Sequence, residues 1–317
     1  MNTETLSERH AIDKIKGVII IINLHELEKT IKKDKIESCV VYEGGATLFE
    51  YYRNRKMKDK QHKINSVTKS VMSALYGIAI QQGYIDNEDV PISSYFSEID
   101  DTKKEITIKH LLTMSSGLRW PGNEAMIPTK NWVKFILEQP VETEPGKQMK
   151  YSCGNSHLLS AILQKATKMN TVDFAKKNLF LPLGIHDFNW YQDAKGIAIG
   201  GFGLTMKIED MLKFGVLYLQ NGEWNSKQMI PTKWIKKSTN SNSVAESSYG
   251  YHWWIMNSKA LDCEEDKTYY AMGMGGMKGQ YIFVNQERRL VTVFTSNLSN
   301  NTSSPIQYFQ NYILNKG

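Results

Sequence analysis

The chain has 317 residues, of which 41% are hydrophobic, 23% charged and 11% aromatic; disordered, collagen-like and fibrous classes are excluded, and one large domain or two interlocked subdomains is expected. Thirty-nine Lys and Arg against 33 Asp and Glu leave a net charge of +6. The positive residues are scattered rather than gathered in the basic, aromatic-interleaved stripe of a nucleic-acid binder.

In chain order, the opening MNTETLSERH lacks the basic stretch of a signal peptide, and the apolar run at 18–22 is too short for its core. No segment reaches the roughly 20 apolar residues of a membrane span. A soluble cytoplasmic protein with no membrane and no nucleic-acid partner is therefore expected. After a helix-like start, β-rich runs at 38–42 and 47–52 flank Gly44-Gly45 and predict a hairpin. Residues 66–82 place Val67, Val71, Ala74, Leu75, Ile78 and Ala79 at helical spacing, with Gly83 as a stop. Helices are predicted next at 109–114, 132–138, 156–167, 172–179 and 207–220. Strands are predicted at 249–255, 268–272, 280–284 and 290–295, separated by Gly-rich or charged turns.

Hairpin, helical middle and strand meander can close one sheet only if the first strands pair with the last. The fold class expected is α+β: an antiparallel sheet flanked by helices with a large, mostly helical insertion. One domain over 1–317 is expected, its sheet part at about 1–65 and 245–317 and its helical part at about 66–244. A ligand cleft belongs where the two parts meet.

Ser66-Val67-Thr68-Lys69 begins the apolar helix, and Ser66 is the only serine followed by lysine at i+3. That spacing puts hydroxyl and amine on one face. A serine needs a neighbouring base to become a nucleophile, and a lysine serves where burial or positive charge lowers its pKa. The helix N-terminus also offers free N–H groups to an oxyanion. Taken alone, the pair reads as an N-capping serine with an exposed lysine. Tyr151, at the mouth of a second helix after Pro145-Gly146, is an ordinary half-buried tyrosine or, beside an ammonium, a phenol able to take and return a proton. The glycines of Met272-Gly273-Met274-Gly275-Gly276-Met277-Lys278-Gly279-Gln280 precede a strand, as a mobile turn or as backbone that a ligand approaches closely.

With these elements in order, the chain resembles the serine β-lactamase/penicillin-binding-protein superfamily, in its class C-like branch. That branch includes class VIII esterases, D-amino-acid peptidases and 6-aminohexanoate-dimer hydrolases. The resemblance runs from about Ser38 to Thr295, through INSVTKSVMSALYGIAIQQGYI, ITIKHLLTMSSGLRWPG, PGKQMKYSCGNSHLLSAILQKAT, LFLPLGIHDFNW, GGFGLTMKIEDMLKFGVLYLQNGEW, YGYHWW and KGQYIFV. It implies a β-lactamase/transpeptidase-like fold and a serine hydrolase that cleaves a small amide or ester. Ser66 is then the acylated nucleophile and Lys69 with Tyr151 the acid/base pair. The backbone N–H groups of Ser66 and Gln280 form the implied oxyanion hole.

The chain also departs from the family pattern. Tyr151-Ser152-Cys153 stands where the family has Tyr-x-Asn, and Met277-Lys278-Gly279 is read in place of Lys-Thr-Gly or His-Thr-Gly. Both changes disfavour efficient β-lactam hydrolysis. A weak β-lactamase, a D-amino-acid peptidase and a non-catalytic ligand-binding relative remain the alternatives. Trp120, Cys153, Gly201, Lys278 and Gly279 are the expected substrate-contacting residues. For three of these a blander role stays open: core packing for Trp120, a small buried hydrophobe at Cys153, a solvated turn lysine at Lys278. The seven histidines show no paired metal-ligand spacing, and the cysteines form neither a disulfide framework nor a zinc ribbon. No metal and no cofactor is expected, and the partner is the small-molecule substrate.

Overall fold

The computed structural model describes residues 12–15, 18–21, 23–241, 248–256, 268–274, 279–298 and 304–314. Its principal elements follow the expected order. Helix α1 (Leu24–Lys33) is capped by Asn23, whose side chain accepts the Glu26 N–H at 3.1 Å. Strands β1 (Ile36–Glu43) and β2 (Ala46–Tyr52) are joined at Gly44-Gly45, with φ of +61° and +104°. Glycine tolerates that conformation and a β-carbon does not. Helices α2 (Val67–Gln81), α3 (Cys153–Thr167) and α4 (Ile208–Leu219) dominate the middle. The last third supplies β3 (Trp254–Met256), β4 (Thr268–Met274), β5 (Gly279–Asn285) and β6 (Leu290–Ser296).

The six strands form one antiparallel sheet in the order β3-β4-β5-β6-β1-β2. Closure is made by β6 on β1, with Val291 opposite Tyr42 and Val293 opposite Val40, as the hairpin-plus-meander pattern requires. Both faces are covered because successive side chains alternate sides. On one face Cys39, Val41, Tyr281, Phe283, Leu290 and Phe294 pack against α1 and the C-terminal segment. On the other, Val40, Ile282, Val284, Val291 and Val293 join the core shared with the helical layer. Helix α4 lies on this second face although the sequence reading counts it in the helical part. Gly215 permits the approach, since a β-carbon there would stand 2.6 Å from Val291 Cγ1 and 2.8 Å from Ile282 Cγ2.

Helix α2 is buried from Val67 through Ala79, which marks a central helix packed on all sides. Trp234 fills the space over Gly77 and donates its Nε1–H to the Ser73 carbonyl at 2.9 Å.

The predicted strand at 249–255 forms only at its end. Residues 249–253 turn sharply, with the Gly250 N–H bonded to the Trp253 carbonyl at 2.8 Å and His252 at φ +60°. His252 is held there by its neighbours: its N–H reaches the Leu112 carbonyl at 3.2 Å and its own carbonyl accepts the Ser70 hydroxyl at 2.6 Å. The predicted helix at 172–179 splits into Thr171–Ala175 and a π-helical turn, Lys176–Phe180. Helices Thr232–Ser238 and Ser304–Tyr308, and a small sheet of His62–Lys63, Leu204–Met206 and Asn189–Trp190, have no counterpart in the sequence reading.

Candidate active site

Ser66 occupies the N-terminal boundary of α2, directly after Asn65 in the left-handed region at φ +50°. Its side chain makes no capping bond. The amides that a cap would serve are used elsewhere: Val67, Thr68 and Lys69 N–H bond to the carbonyls of Ile64, Asn65 and Ser66 at 3.1, 3.0 and 3.0 Å. The hydroxyl is therefore left for Lys69, whose Nζ lies 3.1 Å from Ser66 Oγ. Lys69 is only 1% exposed. Its other acceptors are the Gly201 carbonyl at 2.7 Å and Cys153 Sγ at 3.4 Å. Neither is a carboxylate. Burial alone would pull its pKa down, but the charge and hydrogen bonding of Cys153 and Tyr151 outweigh it, and the pKa is raised above 10.5.

Tyr151 immediately precedes the cap of α3, where Ser152 Oγ accepts the Asn155 N–H at 3.3 Å. Lys69 Nζ stands 4.8 Å from the centre of its ring. The phenol is 37% exposed, so it faces the crevice from the solvent side. Its ring stacks on Trp254 at 6.0 Å and meets Tyr249 edge-on at 6.4 Å. Hydroxyl, amine and phenol, separated by 85 residues of chain, thus converge at one place.

Three glycine contacts bring the rest of the wall together. A β-carbon on Gly154 would lie 2.7 Å from Trp120 Cζ3, so Trp120, half-buried, rests on the first turn of α3 and packs against the core. One on Gly201 would lie 3.0 Å from Cys153 Cβ, and one on Gly200 would collide with the Ser156 carbonyl oxygen. Close approach of this loop to α3 puts the Gly201 carbonyl within reach of Lys69. Asn155 does not take up the missing amide role, being 1% exposed and bonded to Ser116 Oγ at 2.9 Å.

Gln280 and Gly279 are not placed as the sequence reading expects. Gln280 does not reach the crevice: it belongs to β5, an interior strand, is 1% exposed, and sends its side-chain amide to the Ser296 carbonyl at 2.9 Å. Gly279 is likewise inside, its N–H bonded to Ser296 Oγ at 3.0 Å. The strand beside the nucleophile is β4. Gly273, opposite Gln280 in the ladder, lies so close to the Ile64 carbonyl that a β-carbon would overlap its oxygen. β3 pairs with β4 only as far as Tyr270. Among the described residues, the edge of β4 at 271–274 has no strand partner. Gly273 of β4 is therefore the residue seen against the segment that leads into Ser66. Lys278 lies outside the described residues.

Behind Lys69 is a group that sequence reasoning missed. His252 is buried, with Nε2 3.1 Å from Ser156 Oγ and Nδ1 3.5 Å from the Tyr249 hydroxyl. Burial, then the Lys69 charge, push its pKa down to about 3. The signal was weak, a lone histidine inside an apparent strand. Among the described residues, no cluster of three or more His, Cys, Asp or Glu is placed to hold a metal, and no helix is long and apolar enough to cross a membrane.

A family model described as Beta-lactamase matches residues 37–311. The chain belongs to the beta-lactamase family. Within that family a 6-aminohexanoate-dimer hydrolase of Paenarthrobacter ureafaciens is 21% identical over 268 residues, 74% of this chain and 68% of that protein. Penicillin-binding protein 4* of Bacillus subtilis is 26% identical over 167 residues, 47% of this chain and 36% of that one. A Bacillus anthracis structure, provisionally described as a 6-aminohexanoate-dimer hydrolase, superposes with a TM-score of 0.78 at 19% identity, covering 98% of this chain and 84% of that one. The octameric penicillin-binding protein homologue of Pyrococcus abyssi gives 0.73 at 20% identity over 92% and 77%. At these identities the structures establish the beta-lactamase/transpeptidase-like fold.

Proposed function

We propose that this beta-lactamase-family chain is a serine hydrolase that opens a small amide or ester through an acyl-enzyme on Ser66. The observation that carries the reading is the 3.1 Å contact between Ser66 Oγ and a buried Lys69 whose other acceptors are a carbonyl and a thiol. No carboxylate neutralises it, and with its pKa raised by Cys153 and Tyr151 Lys69 carries the positive charge of the unit, steadying the oxygens of Ser66 and Tyr151 while the Ser66 proton moves within that unit.

Ser66 Oγ attacks the substrate carbonyl as its proton passes to the Lys69–Tyr151 unit. Charge on the tetrahedral intermediate falls between the N–H of Ser66 and the open edge of β4 at Gly273–Met274. Among the described residues the Ser66 N–H makes no backbone hydrogen bond, so it is available as a donor. Tyr151, open to solvent, returns the proton to the leaving amine or alcohol, and water then releases the acyl group. Because the titrating groups interact, base strength belongs to the unit rather than to one side chain.

The name of the Paenarthrobacter relative, a hydrolase of a 6-aminohexanoate dimer, supports a small linear amide as one substrate class. The test is turnover of p-nitrophenyl butyrate, a short linear amide and nitrocefin by wild type and Ser66→Ala. Ester or amide turnover that disappears in Ser66→Ala is expected, with nitrocefin slowest; a Ser66→Ala variant as active as wild type would overturn the reading.

A further inference from the structure

One titratable pair lies wholly inside the molecule beside this site. His157 Nε2 is 3.1 Å from Asp193 Oδ2, with side chains 0% and 1% exposed. His157 follows Ser156 on α3, one turn beyond Cys153. The other carboxylate oxygen, Asp193 Oδ1, accepts the N–H of Lys195 at 2.8 Å and of Ile197 at 2.9 Å. One carboxylate therefore both closes a turn and docks it on α3. Burial would raise the Asp193 pKa, but the imidazole and the two amides lower it further, so the group is an anion that requires a donor from His157. Among the described residues His157 Nδ1 is buried without a hydrogen-bond partner, and the ring is held through Nε2. The docked turn continues through Ile199, whose carbonyl accepts Trp190 Nε1–H at 3.0 Å, into Gly200 and Gly201. There the chain is pressed against Ser156 and Cys153, and the Gly201 carbonyl accepts from Lys69 Nζ at 2.7 Å.

We propose that the His157–Asp193 pair positions the catalytic lysine: by tying the 193–201 loop to α3, it holds the Gly201 carbonyl on Lys69 Nζ. The inference rests on the serine-hydrolase reading above. The other groups facing Lys69 are Ser66 from α2, Cys153 and Tyr151 from the start of α3, and His252 from the turn behind it. None of them is bonded to Asp193, so the pair acts on Lys69 through one carbonyl.

The experiment compares Asp193→Asn, His157→Leu and His157→Gln with wild type, using p-nitrophenyl butyrate turnover, its pH profile and thermal unfolding. In Asp193→Asn the carboxamide oxygen can keep the turn, but its NH2 then faces the His157 N–H, donor against donor. Asp193→Asn and His157→Leu are expected to lose at least about 10-fold in kcat with KM within about 2-fold, because a misplaced base slows the chemical step and not binding. The limb of kcat/KM that titrates with Lys69 moves to lower pH, since the ammonium loses a carbonyl acceptor. His157→Gln keeps a donor at the position of Nε2 and is expected to stay within about 3-fold of wild type.

Lowered unfolding temperatures with unchanged kcat and pH limb would reduce the pair to a structural role and overturn the proposal. His157→Gln as slow as His157→Leu would do the same. If His157→Leu does not fold, Asp193→Asn against His157→Gln decides. A wild type that turns over no ester or amide has a separate signature: it overturns the hydrolase reading and, with it, any positioning of a catalytic base.

Discussion

Gly273→Ala tests the geometry of the nucleophile and the oxyanion strand together. The added methyl group would overlap the Ile64 carbonyl oxygen and stand 3.2 Å from the Ile64 carbonyl carbon and 3.3 Å from Asn65 Cβ. Carbon atoms pack best at about 3.5–4.0 Å, and the oxygen is nearer still, so β4 and the 64–66 segment must separate by about 1 Å. Neither side is a flexible side chain. Overpacking of this kind costs about 1–3 kcal/mol. A displacement of about 1 Å between nucleophile and oxyanion donors lowers kcat about 100-fold. Gly215→Ala is the control, with clashes at 2.6 and 2.8 Å against Val291 and Ile282 where α4 meets the sheet, neither of them in the 64–66 segment. Both variants should unfold at lower temperature, but only Gly273→Ala should lose kcat on p-nitrophenyl butyrate. Equal activity in the two, or Gly273→Ala within 2-fold of wild type, would refute the assignment of β4 as the strand facing Ser66.

Further outcomes follow from the same contacts. Lys69→Met is expected to lower kcat by about 10²–10⁴, the range for a general base, with far-UV circular dichroism unchanged; retained activity would remove Lys69 from the mechanism. Cys153→Ala removes one of the two groups that hold the Lys69 pKa above 10.5. Burial is then less opposed, and the limb of kcat/KM that titrates with Lys69 should shift to lower pH; an unmoved limb contradicts the coupling. His252 has a folded pKa of about 3 against 6.5 unfolded, so the unfolded chain binds the extra proton first and stability falls as pH drops below 6.5. Urea unfolding should show about 2 kcal/mol lost through this group between pH 7 and pH 5, a loss absent in His252→Gln. Glu43 accepts from Arg288 Nε and Nη2 at 3.1 and 2.8 Å, and Arg288 also holds the Ile313 carbonyl. Glu43→Ala should cost about 3–5 kcal/mol by stranding a buried guanidinium, read as a lower urea midpoint.

The sheet was legible because its strands are long, β-rich and marked by glycine turns, and its closure followed from the order of elements. Helices α2, α3 and α4 were legible from apolar spacing over 12 to 15 residues. Two-residue strands such as His62–Lys63 have no period to read. The 249–255 run looks like a strand, yet its shape is set by long-range bonds from Ser70 and Leu112, which local pattern does not contain. In the site, Ser66, Lys69 and Tyr151 were legible because residue type and spacing carry their chemistry. Gln280, expected at the oxyanion hole, lies on interior strand β5, one strand from Gly273 of β4, which touches the segment before Ser66. Glycines recur at 273, 275, 276 and 279, and only packing reveals that Gly273 is the one pressed on Ile64. His157 and Asp193 were invisible for a related reason, since 36 residues separate them and neither belongs to a spaced motif.

The central claim is tested most directly by incubating the protein with a fluorophosphonate and measuring intact mass, followed by peptide mapping. The account predicts one adduct per chain, on the peptide carrying Ser66, absent in Ser66→Ala and strongly slowed in Lys69→Met. An unlabelled wild type, or an adduct on any other serine, would contradict it.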